Sequence, residues 1–218
     1  MARYLFPRWS NKVLPILIFW VLGPLGTAGI AAAVYYSPND NINVGYTPTQ
    51  PVPYSHKLHA GEMGMDCRYC HSPVERGAMA TVPPTQVCMN CHLKVKTDSV
   101  KLAPVRESYE TGLPIKWRRV HNLPDYVYFD HSAHMAAKVG CVECHGRVDQ
   151  EVTVGQKKSL SMVFCLECHR DPGPHLRPEN VSVTDMEWKP DASKSGQPGV
   201  AANGRTVYPP THCSGCHR

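Results

Sequence analysis

The chain has 218 residues and a formal net charge of +5, from 23 Lys and Arg against 18 Asp and Glu. Three of the basic residues, Arg3, Arg8 and Lys12, precede residue 13, so beyond Ser37 the balance is 20 against 18 and gives no support for a nucleic-acid partner. Twenty prolines and sixteen glycines interrupt the pattern repeatedly, which excludes a fold of long periodic helices or an extended sheet.

In chain order, residues 1–12 form a short basic N-terminus. Residues 13–36, VLPILIFWVLGPLGTAGIAAAVYY, carry no charged side chain. This length exceeds the roughly 20 residues that cross a bilayer as a helix. A single transmembrane helix is therefore predicted over 13–36, and Pro15 and Pro24 are tolerable within it. The next basic residue is Lys57, so the positive-inside rule puts residues 1–12 in the cytoplasm and residues 37–218 on the periplasmic, outer face of the cytoplasmic (inner) membrane. The competing reading is a cleaved leader ending near Ala31, Ala32 and Ala33. Gly23, Gly26 and Gly29, spaced by three, suit close packing of another helix, or simply reduce bulk.

Beyond the span the pattern C-x-x-C-H occurs five times, and its copies consume all ten cysteines. They are Cys67-Arg-Tyr-Cys70-His71, Cys88-Met-Asn-Cys91-His92, Cys141-Val-Glu-Cys144-His145, Cys165-Leu-Glu-Cys168-His169 and Cys213-Ser-Gly-Cys216-His217. Two thiols at this spacing can add to the two vinyl groups of one porphyrin, and the adjacent imidazole can reach its iron. Zinc would explain the paired cysteines but not a histidine after every second one. With 12 histidines in the chain, five coincidental hits have a chance of about 5 in 10 million, which favours haem. A five-bridge disulfide framework would not require uniform two-residue gaps. The expectation is five covalently attached haem c groups, with His71, His92, His145, His169 and His217 as proximal iron ligands. Ten propionates would turn the outer domain net negative, on the order of −8. Lys116, Arg118 and Arg119 are either propionate partners or a solvated charged turn.

The segment HKLHAGEMGMDCRYCH from His56 matches HSAHMAAKVGCVECH from His131, 75 residues later with one deletion. Each copy continues to another motif, giving two close pairs and a final single site. TVPPTQVCMNCH at Thr81 likewise matches TVYPPTHCSGCH at Thr206. The predicted fold is mostly irregular with short α-helices at the motifs, a multihaem domain whose core is haem-packed, behind one N-terminal transmembrane helix. Val181 to Asn203 reads as an exposed connection.

Seven histidines lie outside the motifs. His56 with His59, and His131 with His134, form H-x-x-H pairs that fit one face of a helical turn, each about ten residues before a motif. Their placement resembles the three- and four-haem low-potential cytochromes, and that resemblance implies that one histidine serves the following haem while the other reaches a different one. His121 is the fifth expected distal ligand, ahead of His175 and His212. Met162, then Met79, are the methionines to consider at an iron, although most methionines pack against porphyrin.

The anchor, the five motifs, their paired spacing and phrases such as RVHNLPDYVYFDHSAH and CLECHR resemble the membrane-anchored pentahaem cytochrome c subunit of alternative complex III. The resemblance covers nearly the whole length. It implies an electron-transfer subunit without a catalytic site of its own. Quinol would be oxidised at a membrane subunit of the complex, and electrons would pass through an iron–sulfur subunit and this chain to a smaller cytochrome c or a soluble carrier. One alternative is a membrane-anchored multihaem quinol dehydrogenase acting directly on quinol, with Met63 or Met65 near its site. A second is a haem-based reductase of the nitrite-reductase kind, whose C-x-x-C-K marker is missing from this sequence.

Overall fold

The computed structural model describes Pro7 and residues 9–36, 43–201 and 203–217. Arg3 and Arg8, on which the expected orientation rests, and the boundary at Ser37 lie outside the described residues. The chain divides into two units, Met1–Ile42 and Asn43–Arg218.

In the first unit a helix of 25 residues, Ser10–Val34, is long and apolar enough to cross a membrane. At 1.5 Å per residue it is about 37 Å long, against a hydrocarbon thickness of roughly 30 Å. It consists of α1 (Ser10–Leu17), a π-wound turn (Ile18–Leu22) and α2 (Gly23–Tyr36). The wide turn has a local cause. Pro24 has no N–H to continue the ladder and its ring crowds the carbonyl four residues back, and here the N–H of Gly23 reaches five residues back to Ile18. The Thr27 hydroxyl donates to the carbonyls of Gly23 (3.1 Å) and Pro24 (2.9 Å) on that stretch.

The second unit is built of short helices joined by irregular chain, as expected. Every C-x-x-C-H motif is helical: α3 (Cys67–Cys70), α4 (Thr85–His92), α7 (Cys141–His145), α8 (Met162–Arg170) and α9 (Cys213–Cys216). A π-wound helix (Lys57–Glu62) precedes the first of them, and α5 (Ala103–Thr111) and α6 (His131–Ala136) lie between the second and third. Polar residues start three of these helices by accepting a backbone N–H: Asp66 before α3, Asp130 before α6 and Ser161 before α8. The strands among the described residues, β1 (Gly199–Val200) and β2 (Thr206–Val207), pair antiparallel with Gly199 opposite Val207.

Few apolar side chains are buried, which is what a haem-packed domain requires of its polypeptide. One nucleus holds Val52, Met89 and Val105 with Ile115 and Trp117 against it. Leu176, Val183, Met186 and Ala201 are buried elsewhere. The last three belong to the stretch expected to be an exposed connection, and the structure corrects that reading in part. Val183 accepts the N–H of Cys141 at 3.0 Å, and Thr184 donates to Asp66 at 3.1 Å. Residues 183–184 thus join the turns that begin the first and third motifs.

The two copies of the sequence repeat dock reciprocally. The N–H of Lys57 in the first copy donates to Glu151 after the third motif, at 2.9 Å. Ser132, the equivalent of Lys57, donates to Gly77 after the first motif, at 3.3 Å, and Gly77 is the equivalent of Glu151. The same bond is made twice with the roles exchanged, the signature of a local two-fold relation.

Candidate haem-binding sites

Within each motif helix the two cysteines stand at i and i+3, so one turn presents both thiols on one face. All ten cysteines are free of disulfides. Among the described residues no three Cys, His, Asp or Glu side chains converge as a protein-made metal cage would need. The zinc reading has no donor set there, whereas an iron held by a porphyrin requires only axial partners from the protein.

The histidine rings are oriented for that task. In the motifs, Nδ1 of His71 donates to Thr81 at 2.8 Å, His92 to Val95 at 2.9 Å, His169 to Pro210 at 2.8 Å and His217 to Tyr126 at 3.3 Å, in each case to a backbone carbonyl. Outside the motifs, His59 donates to Ser55 (2.9 Å), His131 to Ala78 (2.7 Å) and His134 to Asp130 (2.7 Å), again at carbonyls. A carbonyl can only accept, so the proton of the neutral ring stands on Nδ1 and the Nε2 lone pair is free for a metal.

Two imidazoles flanking one iron, each at a metal–nitrogen bond of about 2 Å, stand with ring centroids on the order of 6 Å apart. His59 and His92 are 6.3 Å apart, His134 and His169 6.1 Å, and His131 and His145 6.5 Å. His56 lies close enough to His71 to shift its titration. Burial first, then His71, lowers the pKa of His56 to about 4. Burial, with His121 and His131 next, lowers that of His145 to about 3. Both rings are therefore neutral, the form that binds metal. Each H-x-x-H pair thus stands beside both motifs of its own copy.

His121 is placed differently. Its ring lies edge-on to His145 at 4.4 Å, closer than an intervening iron allows, and its Nε2 is buried without a partner. His175 is engaged with the Glu143 carboxylate at 2.9 Å, His212 is exposed, and Met162 and Met79 are more than half exposed.

The sequence reading missed the aromatic that holds each pair. Tyr54 stacks on His59 at 4.5 Å and meets His56 edge-on at 4.8 Å. Phe129, 75 residues later, stacks on His134 at 4.6 Å and meets His131 edge-on at 4.7 Å. The signal was available as an aromatic two residues before each H-x-x-H.

The thiols indicate the order of the sites. The Cys67 and Cys141 thiols lie close enough to shift one another. Burial, then Cys88, raises Cys70; burial, then Cys168 and Cys165, raises Cys144 to about 12; burial, then Cys216, raises Cys165. These influences bring the first motif's attachment turn near those of the second and third, the third's near the fourth's, and the fourth's near the fifth's.

Residues 52–105, which contain the first H-x-x-H pair and the first two motifs, match the family described as cytochrome c7 and related cytochrome c. A curated relative, "Menaquinone reductase, multiheme cytochrome c subunit" of Nitratidesulfovibrio vulgaris, is 35% identical over 156 residues, covering 61% of this chain and 73% of that protein. With thiols, imidazoles and likeness in agreement, the chain belongs to the multihaem cytochromes c, electron-transfer proteins that hold their haem covalently.

Proposed function

We propose that the chain carries five haem c groups, one at each motif, and conducts electrons as a subunit of a membrane quinone-linked complex. The observation that carries this reading is the placement of a non-motif imidazole within iron-spanning distance of His92, His145 and His169. We assign His56 opposite His71, His59 opposite His92, His131 opposite His145 and His134 opposite His169, and retain His121 as the fifth distal ligand on its unpartnered Nε2. When bound, haem c supplies reversible one-electron chemistry at an iron whose potential follows its ligands and burial. The protein's part is to fix seven of the ten imidazoles by a carbonyl at Nδ1, to brace each pair with Tyr54 or Phe129, and to fill both axial positions.

The series of thiols sets the path, from the second motif through the first and third to the fourth and fifth. The apolar helix Ser10–Val34 serves as a single-pass anchor with the haem domain on the periplasmic face, and membrane subunits are the partners. Following the resemblance to the alternative complex III subunit, electrons come from quinol through an iron–sulfur subunit and leave to a smaller cytochrome c or soluble carrier. A second reading reverses the direction, towards menaquinone, and is favoured by the name of the curated relative.

Carbon monoxide added to the dithionite-reduced protein tests whether the chain conducts or reacts. Two axial side chains per iron predict no change in the Soret band. A shifted band would reveal an open iron and favour a haem-based reductase.

A further inference from the structure

The turns at Cys67 and Cys141 are matched by the repeat but not in charge. Asp66 and Gly140 hold equivalent positions, each directly before the first cysteine of its motif. Asp66 is compensated: Arg68 donates to both its carboxylate oxygens, at 2.9 and 2.8 Å. On the other side the space beside Gly140 is filled by the guanidinium of Arg177, which any Cβ at position 140 would overlap.

Arg177 is 1% exposed. Its Nη1 donates to the carbonyl of Ser182 and its Nη2 to that of Asp185 at 2.7 Å, and its carbon centre lies 5.0 Å above the Trp188 ring. Its Nε is buried with no acceptor. The nearby carboxylates act on it through space without closing an ion pair: Glu143 is engaged with His175 at 2.9 Å, and Asp185 accepts the N–H groups of Glu187 and Trp188 at 2.9 and 3.3 Å. A guanidinium does not give up its proton. A buried cation without an ion partner is costly for stability, and its field is strong because little water screens it.

We propose that Arg177 is a positioning residue for the electron: its buried charge, which no carboxylate meets in an ion pair, makes the haem on Cys141 and Cys144 easier to reduce than its repeat partner on Cys67 and Cys70. This rests on reading both motifs as haem-bearing. Adding an electron to an iron removes one positive charge, so a fixed cation beside the turn that would hold the haem favours the reduced form. The central step then has a direction. One ferrous iron at the first motif is oxidised, one ferric iron at the third is reduced, and no proton or further reactant takes part.

The test is a spectroelectrochemical titration of the full haem-loaded chain, wild type against Arg177→Met and Arg177→Lys, with haem per chain counted by pyridine haemochrome. In Arg177→Met one of the five one-electron steps moves down by about tenfold in its reduced-to-oxidised ratio, 59 mV for one electron. The other four hold, and Arg177→Lys returns the step towards its original position. Five haems with five unmoved steps in Arg177→Met would overturn the proposal while leaving the conductor intact; fewer than five haems in the wild type would instead sink the pentahaem reading. Should Arg177→Met not load its haems, Gly140→Ala decides, because its methyl displaces the guanidinium. A single lowered step supports the proposal and unchanged steps contradict it.

Discussion

His175 illustrates how a side chain outside the axial set is tied to the haem motifs. It reaches back 32 residues to donate to Glu143, a variable position of the third motif, and that hydrogen bond, opposed by burial, raises its pKa. A histidine whose folded pKa lies above its ordinary value of about 6.5 contributes stability that is complete below that value and lost as the pH rises through the folded one. The unfolding free energy of the haem-loaded chain is therefore expected to fall as the pH rises above about 6.5, by roughly 1 kcal/mol or less. His175→Gln should flatten that dependence, and an unchanged slope in the variant would remove His175 from the account. At this scale the sequence was legible where chemistry fixes spacing. The five C-x-x-C-H runs and the H-x-x-H pairs stand out in one dimension, whereas a carbonyl that orients a ring can come from as far away as Pro210 for His169. Arg177 was illegible for the same reason, since its carbonyl partners are ordinary until Ser182 and Asp185 curl around it.

Among the helices, the repeat was visible but its reciprocal docking was not. The helix Lys57–Glu62 crosses to the turn after the third motif, and α6 crosses to the turn after the first. Nothing in a linear pattern distinguishes this exchange from two copies stacked side by side. The crossing leaves no room at Gly61, where a Cβ would overlap the carbonyl oxygen of Asp149. Gly61→Ala must push the helix off its seat and should cost about 1–3 kcal/mol. Gly77→Ala, whose Cβ would meet the Pro73 oxygen at an ordinary 3.6 Å, should change stability by less than about 0.5 kcal/mol. Equal midpoints for the two variants in chemical denaturation would show that the docking is looser than described. The stretch from Val181 to Asn203 misled because its Asp, Ser, Lys, Gly and Pro content is that of a loop, yet it supplies the carbonyls that seat Arg177 and the residues that join the turns before Cys67 and Cys141.

For the molecule as a whole, one apolar helix and one haem domain were both readable from composition, because a bilayer demands length without charge and a haem demands two thiols and a histidine. What composition could not give was the order of sites in space. That order departs from chain order, since the first and third motifs meet at Cys67 and Cys141 where the two copies dock. Conduction through all five sites needs every motif loaded, since an empty site would interrupt the path. Intact-mass measurement of the protein purified from membranes, paired with iron analysis, addresses this most directly. The predicted result is a chain heavier by five haem c groups, with five irons and no free thiol. A mass matching the bare polypeptide, or zinc in place of iron, would contradict it.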